Sequence, residues 1–457
     1  MTPGRARAGA RRAASHLSSA PYVEKWIVVG VAIGALAGIG ALAFYESVLA
    51  CTHVFLTVLA GYRVPTPVRQ GGARGSVAAA RPWALPLVVG LGALLGALLV
   101  RRLAPEVESN PVDGAIAAFS ENPRGIRFGS VVVQLLASAL TIGSGGSGGQ
   151  AGPSGQIGAG MGSLLARRLG LSARDARVAV AAGIGSGIGA ILGAPIGGAV
   201  LAAEILYRDD VDLAMLLPGA VASGVSFAVF GAVVGYSPLF GAVGGFHLAH
   251  PVELGFFALI GVLGGLVGLL YAKGFYGIAD LFARSPLPRW ADATLGGLLV
   301  GAIAIRVPEV LGTGYGWVQQ SLGPELRAIP LWIVLALPLL RILTTGLSIG
   351  SGGSGGVFAP GLVIGAYVGA AVWRLFEPVV PSLGHDPGPY VIVGMMCCLG
   401  SIARAPVAVT LLVAEMTGSL VLAAPAAVAV ALAWWIVRRD GDTIYRSQRR
   451  SRAALQV

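Results

Sequence analysis

The chain has 457 residues, 55% of them hydrophobic and 12% charged, with a mean hydropathy of +0.78. A soluble domain carries about 25% charged residues, so the composition excludes a soluble globular protein and points to a polytopic membrane protein. The formal net charge is +11, most of it in the arginine-rich ends, which is the pattern of cytoplasmic termini beside membrane spans. Nucleic-acid binding is the other meaning of basic tails; short arginine clusters next to apolar runs favour the first.

In chain order, residues 1–22 read as a basic cytoplasmic tail. Apolar stretches long enough to cross bilayer hydrocarbon follow at 26–50, 83–100, 252–272, 331–347 and 420–437. The first of these suits a span better than a cleavable signal peptide. Others, such as 178–192, are short or interrupted by glycine and predict tilted or re-entrant helices. The segment 236–250, rich in Gly, Pro and His, reads as a connector between a first membrane repeat at 23–235 and a second at 251–438. Residues 439–457 read as a basic C-terminal segment with no sizeable soluble domain attached. The three cysteines and five histidines form neither a disulfide framework nor a metal-ligand cluster, so no cofactor is expected.

The repeats rest on a duplication. The string GSGGSGG occurs at 143–149 and again at 350–356, an offset of 207, and each copy is followed four residues later by a proline, Pro153 and Pro360. Ala194-Pro195 precedes Glu204 as Ala405-Pro406 precedes Glu415, with an offset of 211. If each half crosses the membrane an odd number of times, the two are inverted. Paired Gly-rich breaks in matching positions of two halves point to a binding site near the bilayer midplane.

A Gly-rich break inside an apolar segment frees N–H groups that lipid cannot satisfy. Pro153 opens the run 154–169 and Pro360 opens 361–376, and proline suits the first helical turn. Each break therefore reads as a loop leading into a helix N-terminus, where free N–H donors and the dipole favour an anion. Two such termini face to face would hold an anion without any fixed cation, weakly enough for it to leave. Two other readings compete. The glycines Gly143, Gly145 and Gly148 also fit the dinucleotide pattern GxGxxG, but Arg168 stands where an acidic residue belongs and no βαβ context exists. Glycines also permit close helix packing, which explains single positions better than two matched seven-residue copies. A nucleotide-using enzyme would need a Walker lysine, and the chain has only Lys25 and Lys273.

These residues resemble the CLC family of chloride channels and proton-coupled chloride exchangers, in its prokaryotic type without cytoplasmic domains. GSGGSGGQAGPSGQIGAG (143–160) looks like the family's GREGP segment, and GSGGSGGVFAP (350–360) like its GxFxP segment. The helices following each, and Ile444-Tyr445-Arg446 near the end, continue the likeness over about residues 25–450. The resemblance implies an all-α fold with an inverted repeat of tilted and broken helices, a homodimer in the inner membrane, and helix N-termini converging on chloride. It implies that the amides of Val357 and Phe358 bind the anion, with Gly149, Gln150, Ala151 and Gly152 in the first turn, and that the Tyr445 hydroxyl donates to it. Without the resemblance Tyr445 would read as an interfacial aromatic anchor.

Three positions depart from the family pattern. The gating glutamate falls on Ala151 and the basic position before it on Gln150; a methyl group neither competes with an anion nor carries a proton. The inner proton-transfer glutamate falls on Ile205, directly after Glu204, which is either a displaced proton acceptor or a structural residue near a helix end. The family's first anion loop corresponds to 108–113, with Asn110 where a serine contacts the ion; an amide NH₂ can donate as a hydroxyl can, or Asn110 is a turn residue before proline. The expected function is passive transport of a small monovalent anion, chloride first, through a CLC-like pore with weak or no proton coupling. The alternatives are a proton-coupled antiporter with a non-standard relay, or selectivity for another anion such as nitrate or fluoride.

Overall fold

The structure, a computed structural model, describes residues 21–76, 78–242, 251–451 and 453. Nearly all of the expected N-terminal tail lies outside the described residues, as do 243–250 of the connector and the end of the C-terminal segment. Sixteen α-helices, with no strand among the described residues, fall into two series of eight in matching order. The first is α1 (Tyr22–Thr52), α2 (Ala84–Leu103), α3 (Pro111–Glu121), α4 (Phe128–Gly143), α5 (Ala151–Arg168), α6 (Ala173–Leu192), α7 (Pro195–Glu204) and α8 (Leu216–Val234). The second is α9 (Val252–Ala283), α10 (Arg289–Ala304), α11 (Tyr315–Ser321), α12 (Leu331–Thr345), α13 (Phe358–Phe376), α14 (Gly388–Ile402), α15 (Pro406–Thr417) and α16 (Ala423–Asp440). Each series opens on its longest helix, of 31 and 32 residues, and its third and seventh helices are short. This is an inverted repeat of broken helices.

Eight elements are long and apolar enough to cross a membrane. They include Leu213–Val234 and Phe358–Phe376, which the sequence-based spans omitted. The glycine-rich stretch 178–192 is not broken: it belongs to one continuous helix, α6. Its glycines meet the neighbouring helix instead; a Cβ on Gly183 would lie 2.2 Å from the Gly158 carbonyl on α5, so the two backbones touch, as small residues allow in membrane helices. The helices also begin earlier than the prolines imply. α5 starts at Ala151 and α13 at Phe358, two residues before Pro153 and Pro360. Proline is tolerated there because N–H groups of the first turn have no intrahelical acceptor in any case.

α6 and α13 are almost wholly enclosed. The outer helices turn apolar residues outward, among them Val28 and Val31 on α1, Leu266 and Leu270 on α9, and Val428 and Trp435 on α16, which forms a lipid-facing belt. Both described chain ends reach the link between α7 and α8. The Tyr22 hydroxyl donates to the Ala214 carbonyl, and the Arg208 and Asp209 N–H groups donate to the carbonyls of Arg449 and Arg450 at 2.9 and 3.2 Å. The two ends therefore lie on one face of the molecule.

Candidate functional site

The two GSGGSGG turns face each other at the centre. Gly149 N–H donates to the Gly356 carbonyl at 2.7 Å, and Gly356 N–H donates to the Gly149 carbonyl at 3.0 Å. This is a two-residue antiparallel bridge. Residues related by the 207 offset behave alike on both sides. Gly145 and Gly352 have φ of +110° and +111°, a conformation that side chains rarely adopt. Ser147 N–H donates to the Ser348 hydroxyl at 2.8 Å, and its counterpart Ser354 N–H donates to the Thr141 hydroxyl at 3.3 Å. Glycine at the bridge is a matter of space. A Cβ on Gly356 would lie 2.8 Å from both the Gly149 carbonyl oxygen and the Gly152 nitrogen.

Three helix N-termini meet there. A Cβ on Gly152, in the first turn of α5, would lie 2.6 Å from Gly356 Cα, just before α13, and 3.6 Å from Val112 Cγ2, in the first turn of α3. Val357 and Phe358 are buried, and their N–H groups take no part in the loop hydrogen bonds of the described residues. Gln150 and Ala151 are buried beside them. Asn110 precedes Pro111 as the residue entering α3, but its side chain does not cap that helix; neither its amide nitrogen nor its oxygen has a protein partner, and the residue is buried. Ser109 ties this corner to the second turn, its carbonyl accepting from Gly355 N–H at 3.2 Å.

Tyr445 is fully buried, and its hydroxyl also lacks a protein partner. It is not an interfacial anchor, because the segment carrying it is folded back into the protein. Ser447 N–H donates to Asp113 on α3 at 2.8 Å. Gln448 Nε2 donates to the carbonyls of Ile205 and Ala403 at 2.8 and 2.9 Å. On α9, the Tyr276 hydroxyl donates to the Ile444 carbonyl at 2.8 Å and the Tyr271 hydroxyl to the Val357 carbonyl at 2.7 Å. One helix thus holds both the second turn and the Tyr445 segment. A buried donor left without an acceptor costs about 1–3 kcal/mol, and the Tyr445 hydroxyl and the Asn110 amide are two such donors.

Glu204 is not brought to the turns. It ends α7, and its two oxygens accept from the N–H groups of Val407 and Ala408, at 3.3 and 2.7 Å, in the first turn of α15. Glu415, its counterpart on α15, accepts from the N–H groups of Ile196 and Gly197 at 3.0 and 2.7 Å, in the first turn of α7. Each carboxylate satisfies free donors at the start of the other half's helix and sits at the favourable end of its dipole. Ile205 is buried, with its carbonyl tied to Gln448.

The family model described as voltage gated chloride channel matches residues 91–438. The chain belongs to the CLC family. A relative from Ralstonia nicotianae named putative chloride channel protein ClcB-like is 34% identical over 370 residues, which is 78% of this chain and 83% of the relative. Among solved structures, a slow cyanobacterial Cl⁻/H⁺ antiporter shares the fold with a TM-score of 0.79 at 21% identity, covering 96% of this chain and 98% of that one. A CLC-type fluoride/proton antiporter does so with a TM-score of 0.77 at 19% identity, covering 93% and 98%. This CLC protein is a multi-pass membrane anion transporter and not an enzyme.

Sequence reasoning about this CLC protein missed one group at the turns. Arg341 on α12 is completely buried. Its guanidinium donates to the Ser147 hydroxyl of the first turn at 3.1 Å and to the Gly312 and Glu309 carbonyls at 2.8 and 2.9 Å. A cation therefore touches the first turn directly, a contact that the expectation of helix dipoles alone did not include. The signal was available, since Arg341 is the one charged residue in the apolar run 331–347, and an ionisable residue inside a span is a functional-site hypothesis by default.

Proposed function

We propose that this CLC protein moves a small monovalent anion, chloride first, passively and without tight proton coupling. The observation that carries this reading is the meeting of the two glycine turns through Gly149 and Gly356, with free helix amides and the unpaired donors of Asn110 and Tyr445 around them. A desolvated halide there accepts hydrogen bonds from the Val357 and Phe358 amides and the Tyr445 hydroxyl, with Asn110 Nδ2 as a further donor and the 149–152 turn opposite. Peptide dipoles bind without the depth of an ion pair, so the ion can leave. Ala151 supplies no carboxylate to compete for the position or to ferry a proton.

The second reading is a proton-coupled antiporter, favoured by the fold neighbours named as antiporters. It needs a relay other than Ala151 or Ile205, and Glu204 is the residue to test. Against it, both Glu204 oxygens already accept from amides of α15. The selected anion is part of the proposal, and nitrate or fluoride would use the same donors. We also propose a homodimer in the inner membrane, with both termini cytoplasmic and the repeats 23–235 and 251–438 joined through the 236–250 connector into one pathway per subunit.

Purified protein in chloride-loaded liposomes, with simultaneous chloride and internal pH readouts, tests these readings. Chloride efflux under a potassium diffusion potential without proton movement is expected. Stoichiometric proton uptake driven by a chloride gradient would replace this reading with the antiporter.

A further inference from the structure

The two glycine turns are held by the same set of contacts, with one exchange of charge. Ser147 in the first turn and Ser354 in the second are counterparts at the 207 offset. The Ser147 hydroxyl bonds Thr345 at 3.0 Å and receives the Arg341 guanidinium at 3.1 Å. The Ser354 hydroxyl bonds Ser138, the counterpart of Thr345, at 2.8 Å and receives the side-chain amide of Gln134 at 2.7 Å. Gln134 is the counterpart of Arg341. The pseudo-two-fold geometry is therefore preserved while one side carries a cation and the other a neutral amide.

The Arg341 charge is not cancelled locally by an ion pair. Among the described residues no carboxylate lies within salt-bridge distance of it. Its acceptors are the Ser147 hydroxyl and the carbonyls of Gly312, Glu309 and Leu311, all neutral. The Glu309 carboxylate is also buried and lies within electrostatic reach of the guanidinium, but it makes no ion pair with it, and its Oε2 has no partner. The place for the guanidinium is built: a Cβ at Gly314 would lie 2.0 Å from Nη2, and Gly314 has φ +77°. A buried charge in a weakly polarisable surrounding acts beyond its contacts, and the Ser147 hydroxyl is two residues from the bridging Gly149.

We propose that Arg341, seated on Ser147, is the fixed positive charge that sets how tightly the site between the turns holds its anion. Its neutral counterpart Gln134 makes that attraction one-sided, stronger from the first turn than from the second. The inference rests on the anion-transport reading of these turns and deepens it.

The test is chloride binding to the purified full-length protein by isothermal titration calorimetry, with thermal unfolding measured alongside. Arg341→Gln is expected to weaken chloride binding by about tenfold or more, while Arg341→Lys, which keeps the charge and loses the fork of hydrogen bonds, stays within about threefold of the parent. Gln134→Lys, which adds a charge on the other side, is expected to tighten chloride binding. A purely structural clamp would lose affinity equally in Arg341→Lys and Arg341→Gln, and that result overturns the proposal. If neither Arg341 variant folds, Gln134→Lys decides: unchanged affinity overturns it. Absence of halide binding in the parent protein would instead overturn the underlying anion reading.

Discussion

Glu204 and Glu415 cap each other's helices. Each carboxylate takes two N–H groups from the start of the short helix that carries the other, so α7 and α15 are locked head to tail across the pseudo-two-fold axis. Substituting either by glutamine leaves an amide oxygen to accept but removes the charge from the dipole end, at a cost of about 0.5–2 kcal/mol. Glu204→Gln and Glu415→Gln are expected to lower the unfolding temperature by similar amounts and to leave chloride efflux without proton movement, as in the parent. Proton movement present in the parent and in Glu415→Gln but lost in Glu204→Gln, read by the internal pH dye, would mark Glu204 as a relay instead.

The bridge between Gly149 and Gly356 leaves no room for a methyl group. Gly356→Ala is expected to lose chloride flux and to destabilise by about 1–3 kcal/mol through overpacking. Gly277, inside α9, is the control, because a Cβ there would meet nothing within 4 Å; alanine at that position is expected to be neutral or to stabilise by about 0.5–1 kcal/mol. Unfolding curves and efflux rates of the two variants check the contrast.

Ala151 is buried at the start of α5, in the turn proposed to hold the anion. Ala151→Glu is expected to slow efflux at neutral pH and to restore it on acidification. The sign follows from charge: an ionised carboxylate competes with the anion, and its protonated form does not. An ordinary glutamate titrates at about 4.3 and membrane burial raises that value, so activation should develop above that pH. A flat efflux profile between acid and neutral pH would show that the side chain at 151 does not face the ion.

Tyr445→Phe removes one hydroxyl and keeps the ring packing. Hydrogen bonds to charged groups contribute about 1.5–3 kcal/mol, so chloride affinity is expected to fall by about tenfold or more with the unfolding temperature little changed. Equal affinity in the two proteins would return Tyr445 to a packing role. Replacing Asn110 by alanine should weaken binding in the same assay, by less if Tyr445 and the helix amides dominate.

Much of this molecule was legible in one dimension. Hydropathy and charge placed it in a membrane, and two copies of GSGGSGG at a fixed offset announced an internal repeat with a paired break in each half. Proline four residues after each copy marked the coming helix starts to within two residues. Spans were read less well where glycine lowered the hydropathy, as in α6, because glycine there serves backbone contact with α5 rather than a break.

What remained for the tertiary structure was partnership. Gly149 finds Gly356, Ser147 finds Arg341 and Glu204 finds Val407 and Ala408 only after two halves separated by about two hundred residues close on each other. An offset along the chain says that two segments are alike; it does not say that they touch. Nor does it tell that Arg341 and its counterpart Gln134 each reach a serine of the turn in the opposite half. Hydrogen bonds and electrostatic fields depend on distances in space, and those exist only once the inverted halves are docked.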